Sequence, residues 1–318
     1  MKKLLAVLLA LMVVGGAAFA QDAPKPVFTV GAYADYEADL INNDGKTASS
    51  IYTETYFGFK AADMAFNATT VGGYDIFKEV RNYALSYTML DGMLKVYGGK
   101  LRETGGVRLA SYIDGNGFST RLGNVKEGVM LTVKPIADFT FSAFLPVWGN
   151  LVGTDYAKAN IGVAYNLPEL MNVVAGYRLE NKELYASFDV KAIPDVTLRL
   201  GYRMVAPATA GASTNYVYVT GGTTMDALEV GLDADVSLGT VMNFGAKALV
   251  AYKVAETTTA GVKVSFDNGD AWYGNDGINV NPFVQQDFAN GDIKVGFSFT
   301  TSGGTSSWYL PIEFELSF

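Results

Sequence analysis

A closed antiparallel up-and-down transmembrane β-barrel of about 16–18 strands is the fold this sequence predicts. Three observations predict it. The first is Trp308 to Phe318, where Trp308, Leu310, Ile312, Phe314, Leu316 and Phe318 alternate with Tyr309, Pro311, Glu313, Glu315 and Ser317. Strict period-two alternation is a strand with one apolar and one polar face, and about eleven residues let a tilted strand cross a bilayer core. The second is strand length: many alternating segments run well beyond the five or six residues usual in soluble sheets. The third is the start of the chain. Lys2 and Lys3 precede an apolar run, Leu4 to Val14, and Ala18-Phe19-Ala20 is a small-x-small cleavage site. Residues 1–20 are therefore read as a cleaved signal peptide and 21–318 as one barrel domain. The apolar run is too short for a membrane anchor.

The elements follow in order. Val27 to Asp39 places Asp35 and Glu37 on its polar face, and Asn42-Asn43-Asp44-Gly45 is a turn cluster. Ile51 to Lys60 places Glu54 on the polar face. Phe66 to Val71 is a weak strand. Glu79 to Met89 is clear and ends at the turn signal Asp91-Gly92. Met93 to Arg102 follows, with Gly98-Gly99 as a candidate bulge. Residues 103–125 interrupt the pattern. Paired strands resume: 127–134 with 139–148, 158–166 with 172–180, and 183–191 with 196–204. Then come the weak 216–220, and 226–238, 241–254, 261–267, 280–288, 292–301 and the final strand. Val133 to Phe141 resembles Val190 to Leu198 as strand, short turn, strand, which fits an up-and-down barrel.

Composition narrows the function classes. The chain has no His and no Cys. That excludes disulfides, thiolate metal sites and a His general base, on which the usual barrel enzymes depend. No enzyme activity, metal or cofactor is expected. Taking Lys2 and Lys3 from the 24 basic residues leaves 22 against 32 acidic ones, a net charge of −10. Such a balance argues against a nucleic-acid partner. Asp267-Asn268-Gly269-Asp270 and Asn275-Asp276-Gly277 are turn formers, because their spacing does not match a calcium loop.

Strand parity gives the inward-facing charges. Asp35, Glu37, Glu54, Glu313 and Glu315 make an acidic wall, since the first and last strands are neighbours in a closed barrel. Glu229, Asp233 and Asp235 add an acidic stripe. Arg178, Arg199 and Arg203 form a basic wall, and Lys247, Lys263 and Lys294 extend it. In a water-filled lumen such groups sort solutes by charge. Polar pairing without selectivity is the blander reading of the same pattern.

An amphipathic last strand ending in Phe318 resembles the closing strand of bacterial outer-membrane β-barrels, where the terminal aromatic is an assembly signal. The barrel pattern, the charged walls and the long segment after the fifth strand resemble the general diffusion porins. That resemblance implies a passive aqueous channel for ions and small hydrophilic solutes in the cell outer membrane. It also implies that the segment after the fifth strand folds into the lumen, with Arg108, Asp114 and Arg121 as constriction candidates; the family's acidic loop motif is absent here. The partners expected are outer-membrane lipid, the barrel assembly machinery and small solutes, with a homotrimer as one assembly to test. The alternative is a surface structural or adhesion barrel whose lumen has no transport role. Short connections such as Glu180-Asn181-Lys182 favour the channel.

Overall fold

The structure, a computed structural model, describes residues 25–42, 49–73, 78–101, 106–108, 112–113, 119–121, 126–146, 159–180, 182–206, 213–239, 241–268 and 277–318. The first strands are β1 (Val27–Asn42), β2 (Ser49–Ala61), β3 (Met64–Gly72), β4 (Glu79–Met89) and β5 (Leu94–Leu101). Two short strands, β6 (Gly106–Arg108) and β7 (Ser119–Arg121), pair only with each other. The wall continues with β8 (Lys126–Ile136), β9 (Phe139–Pro146), β10 (Asn160–Leu167), β11 (Met171–Arg178), β12 (Glu183–Val190) and β13 (Val196–Val205). Next are β14 (Thr214–Met225), β15 (Leu228–Leu238), β16 (Met242–Ala255), β17 (Thr258–Asp267) and β18 (Gly277–Phe288). The circuit ends with β19 (Gly291–Gly296), β20 (Ser298–Ser302) and β21 (Thr305–Ser317).

Successive wall strands pair antiparallel, with β5 passing directly to β8, and β1 pairs with both β2 and β21. The sheet is therefore closed. β19 and β20 are two halves of one staple, broken at Phe297, so the wall is a closed 18-stranded antiparallel barrel. Closure removes the edges that an open sheet of this size would expose.

The faces are inverted relative to a soluble protein. Leu232, Val250, Val264 and Val284 are exposed on the outside, while Asp233, Asp235, Ser265 and Asn279 are buried on the inside. Register carries this alternation round the wall: Thr220 opposes Asp233, Asp233 opposes Lys247, and Lys247 opposes Ser265. An apolar belt of this extent is stable against lipid rather than water.

Two short segments grew. The weak 66–71 is the core of β3, and 216–220 is the centre of a twelve-residue β14. Both are paired on both edges, and cross-strand partners override weak intrinsic preference. The expected bulge at Gly98-Gly99 is absent, for β5 pairs in regular register with β4 and β8. Gly99 instead adopts φ 140°, and a Cβ there would stand 2.3 Å from the Tyr83 carbonyl oxygen. The register shifts fall elsewhere, at Asp39/Asn42, Thr69/Thr70, Val133/Ile136 and Lys253/Ala255. The two similar hairpins share a cause. Asp138 and Asp195 take positive φ, 64° and 58°, at the last turn position, a conformation that Asp tolerates better than most residues.

Candidate functional site: the inner wall of the barrel

One half of the inner wall carries a folded-in segment. β6 lies against β11 and β12, and Tyr112 reaches β14 and β15. The Tyr112 N–H donates to Thr220 Oγ1 at 2.8 Å and to Asp233 Oδ1 at 3.0 Å, and the Ile113 N–H donates to Asp233 Oδ2 at 3.4 Å. Thr220 also donates its hydroxyl to Asp233. The Tyr112 ring sits in a notch made by two opposed glycines, Gly222 and Gly231. A Cβ at Gly222 would be 2.3 Å from that ring, and one at Gly231 2.7 Å. The Tyr112 hydroxyl reaches Thr224 and Glu229. A charged acceptor for backbone donors is worth about 1.5–3 kcal/mol, so Asp233 and the notch together fix this segment to the wall.

The charges of this half are paired; Glu183 and Arg178 are buried, whereas Arg199 and Asp189 stay partly exposed. Glu183 on β12 bridges Arg178 at 3.4 Å and Arg203 at 2.7 Å, and is fully buried. Arg203 also stacks 5.4 Å from the Tyr216 ring. Arg199 pairs with Asp189 at 2.8 Å. Between them lies an inward cluster of Leu101, Met130, Phe144, Tyr185 and Tyr218, all fully buried. Asp233 and Asp235 are buried too, with Lys247 directly opposite Asp233.

The other half of the wall is acidic and more open. At the seam Asp35 opposes Glu315 and Glu37 opposes Glu313. β19 adds Asp292 opposite Glu315 and Lys294 opposite Glu313. Lys294 pairs with Glu313 there. Five carboxylates on adjacent strands repel one another, and solvent and one ammonium are what moderates that repulsion. Glu54 on β2 is closed off: Arg81 pairs with it, and Tyr52 and Tyr56 donate their hydroxyls to it.

Register places every charged residue expected on the wall on the inward face, but in unequal settings. Asp35, Glu37, Glu313, Glu315, Lys263 and Lys294 gather on the β17–β1 half. Arg178, Arg199, Arg203, Glu229, Asp233, Asp235 and Lys247 gather on the β11–β16 half. Arg108 and Arg121 lie in β6 and β7, opposite Ser119 and Gly106 respectively; Asp114 lies outside the described residues, as do residues 1–20. Sequence reading missed Glu183, Asp189 and Arg81 as partners. The first two were within reach: the short Ala192–Asp195 turn fixes the register that sets Asp189 against Arg199. The Tyr112 docking and its glycine notch carry no sequence signal.

No family model matches the chain, and no curated protein matches it significantly. Solved structures do. OccK3 (OpdO) of Pseudomonas aeruginosa superposes with a TM-score of 0.59 at 10% identity, over 97% of this chain and 99% of that one. OpdK of the same organism, in a structure with vanillate, gives 0.57 at 10%, over 95% and 100%. A loop L8 deletion mutant of OmpT, an outer membrane protein of Vibrio cholerae, gives 0.50 at 14%, over 93% and 100%. At these identities the likeness is one of fold, and the chain shares the closed barrel of these proteins across nearly its whole length.

Proposed function

We propose that the protein is a porin of the bacterial outer membrane, a passive aqueous channel for ions and small hydrophilic solutes. The observation that carries this reading is a closed barrel, apolar outside and polar inside, with a segment held against the inner wall by Asp233 and the Gly222–Gly231 notch. A segment so placed narrows the bore and puts charged groups beside the path. The fold of OpdK, whose structure holds a small organic solute, supports a solute channel rather than an enzyme. The reading of residues 1–20 as a signal peptide fits delivery to that membrane.

Planar-bilayer recording tests the reading. Wild type should show discrete conductance steps. Gly231→Val cannot seat the Tyr112 ring and should show larger, noisier steps. A folded barrel that never conducts would overturn the channel and favour the structural or adhesion alternative.

A further inference from the structure

We infer that the open half of the wall holds a solute subsite for small zwitterions whose ammonium and carboxylate lie several ångström apart. This deepens the channel reading and rests on it for its purpose. The subsite is a recess of about 100 Å³ lined by Lys263, Asn281, Phe283, Lys294, Glu313 and Glu37.

The recess exists because of where Phe283 leans. A Cβ at Gly261 on β17 would stand 2.7 Å from its ring, whereas one at Gly296, its direct partner on β19, would not touch that ring. The side chain therefore lies over β17 and leaves a slot above Gly296. The break between β19 and β20 at Phe297 adjoins this slot, and the Phe297 N–H returns to the Pro282 carbonyl at 2.9 Å. Irregular strand positions of this kind re-aim side chains next to binding sites.

Charge is graded across the slot. Lys263 and Lys294 each hold their ammonium 6.0 Å from the Phe283 ring. Lys294 is engaged with Glu313, and Glu37 stands opposite Glu313 on β1. Positive charge thus begins the row at Lys263 and negative charge ends it at Glu37. β17 and β1 are four strand spacings apart, about 19 Å, and both side chains reach inward across part of that span. A carboxylate at the Lys263 end and an ammonium at the Glu37 end complement the row. An amine or an acid alone meets its own sign at one end. Asn281, opposite Lys263, offers an amide to either group.

Saturation-transfer NMR on the folded barrel in deuterated micelles tests this, with 4-aminobutyrate, butylamine and butyrate as probes. The zwitterion should half-saturate at a concentration about tenfold below either single-charge probe, the scale of one charge-assisted contact. Lys263→Met and Glu37→Gln should each bring it to the single-charge level. Gly296→Leu, whose side chain takes up space in the slot and leaves the charges in place, should do the same; heat-modifiable migration checks each variant's fold. Equal half-saturation by the three probes, or variants that keep the preference, would overturn the subsite. Conductance of the same preparation separates the two readings. A barrel that binds the zwitterion but never conducts removes the channel and keeps the subsite; one that conducts without preference removes the subsite alone.

Discussion

The two halves of the inner wall carry similar numbers of charges and use them differently. From β11 to β16 the arginines meet Glu183 and Asp189, Asp233 meets backbone donors, and Tyr185 and Tyr218 are fully buried. From β19 round to β1 the carboxylates stand opposite one another, with Glu37 and Glu313 still reached by water. The first half uses Asp233 to hold a segment in place, and the second leaves Glu37 exposed at the seam. Inward direction alone therefore does not make a side chain part of the path. Under the channel reading proposed above, burial separates the structural charges from those that would face solutes.

The largest effect expected is at the seam, which runs through the acidic half. Phe318 and Ala32 exchange two backbone bonds, 2.8 and 2.9 Å, at the end of the β1–β21 pairing. Deleting Phe318 removes that last closure and the terminal aromatic proposed to be read by the assembly machinery. Heat-modifiable barrel should be lost from the outer membrane, with unassembled chain in the periplasm. Normal barrel levels would separate closure from the terminal residue.

The next effect sharpens the contrast between buried and open carboxylates. Glu183→Gln leaves Arg178 and Arg203 without their shared counter-charge in a covered site, and should destabilise the barrel by about 3–5 kcal/mol. Glu37→Gln removes one of several mutually repelling carboxylates and should be close to neutral. Urea unfolding of the two variants in vesicles compares them directly; equal losses would mean that the halves do not differ in the way described.

Most of the fold was legible because closure imposes it. Alternation in β1, β15 and β21 fixes an apolar and a polar face, and a closed wall leaves only one way to orient them. β3 and β14 were faint because Asn67 to Thr70 and Gly221-Gly222 lack a strong pattern, and only pairing on both edges completes them. The inward charges were legible by parity. Their partition was not. It depends on Tyr112 lying beside Asp233, residues 121 positions apart in the chain, and no local pattern encodes that contact.

Reversal potential under a salt gradient tests the central claim most directly. The account places the effective fixed charge on the open acidic half, where screening acts over about 10 Å at 0.1 M salt. Wild type should prefer cations mildly. Neutralising Asp35, Glu37 and Glu315 together should shift the reversal potential toward the anion side. Neutralising Arg178 and Arg203 together with Glu183, which removes a largely covered set whose net charge is only +1, should leave it near wild type. The opposite pattern, a large shift from the covered set and none from the seam carboxylates, would contradict the account.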